Sequence, residues 1–154
     1  MKIFSIKDKY SNRIYSRKKK AELRRGNVNI KRKEVCFIYT TSPVKKITGY
    51  FIVERKIRLP IKELWDKTKN FSGVSKEEFF EYFKGKEMGT AILFRIVVRF
   101  KNEVSLDSLR KKSKGFRPPQ SYCYVTMDVL GIIKSKTKEP KLERYIKEAP
   151  LITT

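Results

Sequence analysis

The residues best suited to chemistry lie in SRKKKAELRRG, residues 16–26, which holds six cations and one acid, Glu22. If residues 20–24 are extended, Lys20, Glu22 and Arg24 point to one side, with Lys19 at the turn before them. A carboxylate held among cations ionises readily and can orient them. A lysine crowded by other cations gives up its proton more easily and can serve as a base or nucleophile. Lys19 and Glu22 are therefore the candidate catalytic pair, and Arg24 and Arg25 candidate anion ligands. The plainer alternative is a solvated basic run with no pocket.

Two further stretches could present polar groups. In TTSPV, residues 40–44, a Ser42 hydroxyl and free amides at a strand end could bind a phosphate or a base edge. In RPPQSYCY, residues 117–124, two prolines stiffen the approach to a strand and present Gln120 and Ser121. Glutamine can make paired hydrogen bonds to a base. An ordinary turn is the alternative at both. Between them runs a basic connection whose Arg110, Lys111, Lys112, Lys114 and Arg117 have no acid among them. Lys112 and Arg117 are candidate phosphate contacts.

Several chemistries are excluded. The chain has no histidine, so Ser-His-Asp and Cys-His catalysis in their usual forms and HExxH zinc sites are absent. Its two cysteines, Cys36 and Cys123, are far apart and lie in apolar runs. They read as buried free thiols in a reducing compartment. No metal-ligand spacing stands out, and neither a GxxxxGK[ST] nor a GxGxxG loop occurs. No metal or cofactor is expected.

The scaffold must be a single domain. The chain has 154 residues, 40% of them hydrophobic, enough for a real core. Its net charge is +22, which favours nucleic acid or another anionic surface. Residues 2–6, 21–25, 35–40, 46–57 and 90–101, with a last strand after the prolines, read as β-strands. Gly49 suggests a bulge or a close approach of backbone. Short helices are expected over residues 8–16, after Pro60, and after Ser75, where Ser75 and Glu78 form a capping box. In the strand at 90–101, Ile92, Phe94, Ile96, Val98 and Phe100 alternate onto one face. The fold class is α+β: a small mixed β-barrel of five to six strands with short inserted helices. Residues 1–126 form the domain, and residues 127–154 a charged, partly helical C-terminal extension. No signal peptide or membrane-spanning run is evident, so a cytoplasmic location away from membranes is expected.

The order of segments resembles the ASCH domain family, within the PUA-like barrels. The resemblance runs over FSIKDKYSNRIYSRKKKAELRR, VCFIYTTSPVKKITGYFIV, ELWDKTKNFSGVSKEEFFEYFKGKEMGTAILF and RPPQSYCYV, roughly residues 1–126. Its G-x-K-x-x-E-x-R motif falls with lysine on Lys19, glutamate on Glu22 and arginine on Arg24. Arg17 stands at the glycine position, so a left-handed turn there would be strained. The resemblance implies RNA or modified-nucleoside binding beside the motif. It also implies enzymatic relatives, ribonucleases and an N4-acetylcytidine amidohydrolase. The latter uses a threonine where this chain has Glu22. Some members look like transcriptional regulators.

Three readings follow. The first is an RNA-binding domain with a pocket at the barrel mouth. The second is an RNA-processing or nucleoside-modifying hydrolase using Lys19. The third is a DNA-binding regulator. RNA is the expected partner, with DNA as the alternative.

Overall fold

The computed structural model describes residues 1–150. The chain forms β1 (Lys2–Ile6), α1 (Asp8–Tyr15), β2 (Ala21–Arg24), β3 (Val35–Thr40), β4 (Lys46–Pro60), α2 (Ile61–Thr68), α3 (Lys76–Tyr82), β5 (Met88–Ser105), α4 (Leu106–Lys112), β6 (Tyr122–Tyr124), α5 (Met127–Thr137) and α6 (Leu142–Glu148). This is the expected α+β class, with six strands in one curled sheet of order β2-β5-β4-β3-β1-β6. The β1–β3 pair is parallel and the others are antiparallel. Among the described residues no ladder joins β2 to β6, so the barrel is half closed and its two edges face each other across a seam.

β3 is buried along its whole length, as its run of β-branched and aromatic residues demands. Val35, Phe37 and Tyr39 enter one apolar cluster, Cys36 and Ile38 another. The first cluster also contains Val129, Leu130, Ile132, Ile133 and Leu142, so α5 and α6 help to build the main core. A third cluster, around Leu64, Phe79 and Phe83, seats α2 and α3 against the β2 end of the sheet. Ser75 and Glu78 form the expected capping box at the start of α3. Both cysteines are free thiols, on the two strands that flank β1.

β5 departs from simple alternation. Ile52 of β4 pairs with Ile96 and Val53 with Phe94, which leaves Arg95 as an extra residue. The bulge exchanges the faces of the strand. Ile92 and Phe94 therefore pack in the second cluster, while Ile96, Val98 and Phe100 pack in the first. The five do not share one face. Gly49 fulfils both expectations for it. The register shifts beside it, and a β-carbon there would lie 2.2 Å from the Val98 carbonyl oxygen. The basic connection is partly helical: α4 carries Arg110, Lys111 and Lys112 in its last turn, with the Ser105 hydroxyl capping its start. No helix among the described residues is long and apolar enough to cross a membrane.

Candidate functional site

The seam gathers the chemistry. β2 is an edge strand, paired to β5 with Glu22 opposite Ile92 and Arg24 opposite Thr90. Arg24 reaches across the seam to the other edge. Its Nη2 donates to the Ser5 carbonyl of β1 at 3.1 Å, and its Nη1 donates to Ser121 Oγ at 3.0 Å and the Ser121 carbonyl at 3.4 Å. The guanidinium also lies 5.0 Å from the Phe4 ring centroid. Arg24 thus does across the gap what a strand ladder does elsewhere.

Beneath it sit Glu22 and Lys19, 7% and 2% exposed. Glu22 Oε1 accepts from the Leu23 amide at 3.1 Å. Its Oε2 faces Arg24 Nη2 at 3.8 Å, too long for a hydrogen bond. Lys19 donates from Nζ to the Ser72 carbonyl at 3.2 Å and lies 5.7 Å from the Tyr10 ring centroid. Burial holds its ammonium below the ordinary lysine range; Glu22 opposes that shift, and Arg24 and Arg13 reinforce it. Among the described residues, three buried polar atoms in this neighbourhood have no hydrogen-bond partner: Glu22 Oε2, Arg24 Nε and Ser72 Oγ.

The supporting shell ties α1 to the start of α3. Arg13 Nη1 donates to the Gly73 carbonyl at 3.0 Å and to Glu78 Oε1 at 2.9 Å. The Tyr10 hydroxyl donates to Glu78 at 3.3 Å. The Ser75 amide, then Arg13, hold the Glu78 carboxyl down at about 2. Gly73, at φ +70°, packs directly on Lys19. Arg17 adopts φ +69°, the left-handed conformation expected of the glycine at that motif position. Its Nη2 donates to the Val97 carbonyl at 3.0 Å, which helps hold the turn.

No family model matches the chain. An ASCH domain-containing ribonuclease of Zymomonas mobilis is 27% identical over 137 residues, covering 89% of this chain and 92% of that protein. The crystal structure of ASCH from Zymomonas mobilis superposes with a TM-score of 0.82 at 27% identity, over 88% of this chain and 94% of that one. The chain has the ASCH fold and is similar to ASCH domain proteins along most of its length. An 82-residue stretch of this chain is also 30% identical to the large ribosomal subunit protein uL22 of Ureaplasma parvum, over 52% of this chain and 26% of that protein.

The ASCH fold brings together Lys19, Glu22, Arg24 and Ser121. Gln120 is exposed beside Ser121 at the mouth of the seam. Arg25 is turned away: its Nε donates to the Tyr82 carbonyl at 2.7 Å and its guanidinium lies 4.1 Å from the Tyr82 ring centroid, which anchors α3. Ser42 is exposed in the β3–β4 turn, and Lys112 and Arg117 are exposed at and beyond the end of α4. Among the described residues, none of these three hydrogen-bonds to Lys19, Glu22 or Arg24. Sequence reasoning missed Ser5, Tyr10, Arg13 and Ser72. The Ser72-Gly73 pair was the one available signal, as a turn next to a capping box.

Proposed function

We propose that this ASCH domain binds RNA and admits one nucleotide to the Lys19–Glu22–Arg24 cluster at the seam. The observation that carries the reading is the set of three buried polar atoms around one cluster that have no hydrogen-bond partner among the described residues. Each such atom costs about 1–3 kcal/mol when left unpaired. Glu22 Oε2 can accept and Arg24 Nε can donate, and a base edge offers both complements. Arg24 covers the cluster, and its bonds to Ser5 and Ser121 can be exchanged for bonds to a phosphate. RNA as the polymer is supported by the net charge and by the relative named as a ribonuclease. The test is a titration of labelled single-stranded RNA and DNA decamers at two salt concentrations, with Glu22→Gln and Arg24→Ala. Support is salt-dependent RNA binding that weakens about tenfold or more in both variants. Equal binding in both variants, or preference for DNA, sinks the reading.

One observation favours a second, catalytic reading. Lys19 is buried with its amine biased toward the neutral form. A neutral amine can take the proton from a ribose 2′-hydroxyl. The 2′-oxygen then attacks the adjacent phosphorus, the bond to the 5′-oxygen breaks, and that oxygen leaves with a proton taken from water. The products carry a 2′,3′-cyclic phosphate and a 5′-hydroxyl, and Arg24 neutralises the charge gathering on phosphorus. Incubating end-labelled RNA with and without divalent ions, beside Lys19→Met, tests it. Cyclic-phosphate ends that vanish in Lys19→Met support the step; 3′-hydroxyl ends, or an active Lys19→Met, overturn it. N4-acetylcytidine in the same assay tests the nucleoside alternative.

A further inference from the structure

A concave feature lies where the β5 bulge faces the turn that carries Lys19. It is a cavity of about 300 Å³ whose lining includes Ile14, Arg17, Lys19, Lys20, Phe94 and Arg95. Its construction is specific. The Lys20 carbonyl accepts from the Phe94 amide at 3.1 Å, which places Lys20 beside the bulge. The bulge leaves Arg95 without a cross-strand partner and exposed. Arg17 closes the far side through its bond to the Val97 carbonyl, an arrangement that its left-handed backbone makes available.

The cavity therefore has an apolar floor and a rim of Arg17, Lys20 and Arg95. Among the described residues, no carboxylate lies within 4.0 Å of any of the three. Cations grouped around a concavity repel one another and focus a positive potential, which an anion relieves. The other large hollow, lined by Lys112, Met127, Asp128, Gly131, Ile132 and Ser135, pairs one cation with one acid and shares no residue with the seam. The bulge cavity does share one, Lys19. Its volume stands at the lower end of the range for ligand sites.

We infer that the cavity at the β5 bulge is a second RNA subsite, taking the backbone phosphates of nucleotides that flank the one at the seam. The inference rests on the RNA-binding reading above and assigns it a strand path: from the seam, past Lys19, onto Arg17, Lys20 and Arg95. A strand following that path is held at the seam by base-edge contacts and at the bulge by charge. The two contributions therefore separate with oligonucleotide length. A dinucleotide fills the seam alone, whereas a decamer reaches both.

The experiment measures binding of a ribodinucleotide and a ribodecamer to the wild type, to Lys20→Glu/Arg95→Glu, and to a charge-matched control, Lys84→Glu/Lys86→Glu, on the exposed turn before β5. Arg24→Ala is measured alongside. All four substituted positions in the two double variants are exposed, so thermal unfolding should be unchanged. The expected result is a decamer affinity about tenfold lower in Lys20→Glu/Arg95→Glu, with a logarithmic salt slope smaller by about 1.4, the share of two single-strand phosphates. Dinucleotide binding stays within about twofold, and the control loses less than about threefold by the same charge reasoning. An unchanged decamer in Lys20→Glu/Arg95→Glu, with binding lost in Arg24→Ala, overturns the subsite and leaves the seam reading standing. Equal weakening in the control, or of dinucleotide and decamer alike, overturns it in favour of a diffuse field. A wild type that binds neither oligonucleotide overturns both readings.

Discussion

Gly73 and Lys19 are in backbone-level contact: a β-carbon on Gly73 would lie 2.4 Å from the lysine β-carbon and 2.5 Å from its α-carbon. Nothing flexible can yield at that point. Gly73 also needs φ +70°, which an L side chain resists. Gly73→Ala should therefore destabilise the fold by about 2–4 kcal/mol, from strain and overpacking together. It should also displace Lys19 and weaken RNA binding. Urea unfolding measures the first effect, and decamer titration of the folded fraction the second.

Arg24 supplies the link across the seam through two nitrogens aimed at three acceptors. Arg24→Lys keeps the charge and loses the fork. The expected cost is about 1–3 kcal/mol, with the loss concentrated at the edges. Hydrogen exchange should show it as faster exchange of the β1 and β6 amides, with β3 and β4 unchanged. Uniform acceleration through the sheet would mean that the seam is not held locally.

Lys19 makes stability depend on pH in a defined direction. Burial lowers its native value below the ordinary 10.5, so the unfolded chain binds the extra proton between those two values. Stability therefore rises with pH across that window, by at most about 1.4 kcal/mol per pH unit for one proton. Lys19→Met lacks this rise. The difference between wild type and variant should shift toward the wild type from pH 7 to pH 10. Comparing the two cancels the opposite trend from the buried Cys36 thiol and the Tyr15 and Tyr50 phenols, all pushed up by burial.

Arg17 separates stability from binding. Arg17→Gly relieves a left-handed arginine, worth about 1 kcal/mol, against the loss of one hydrogen bond to Val97. Thermal stability should stay level or rise slightly. Decamer affinity should fall, because a rim cation of the bulge cavity is gone. A fall in both would identify Arg17 as structural.

Much of this molecule was legible in its residues, and the limits have physical causes. The strands announced themselves through dense β-branched and aromatic runs such as VCFIYT, and the capping box of α3 through Ser75 and Glu78. The lone Glu22 among cations singled out the cluster. What could not be read was any contact spanning dozens of residues: Ser72 accepting from Lys19, or Ser121 meeting Arg24. The β5 bulge was hidden as well. Ile92 to Phe100 alternates correctly in sequence, and the extra residue shows only against the register of β4. Arg25 looked equivalent to Arg24, yet one step along a strand turns a side chain to the opposite face.

The seam also sets an order of events at the ribosome. Arg24 is made before Ser121, its partner on the opposite edge, which follows 97 residues later. At ordinary elongation rates that gap lasts on the order of ten seconds. During that interval the nascent chain carries Lys19, Glu22 and Arg24 without the edge that covers them. The cluster's charged residues thus emerge well before their cover, and α5 and α6, which complete the main core, follow that cover.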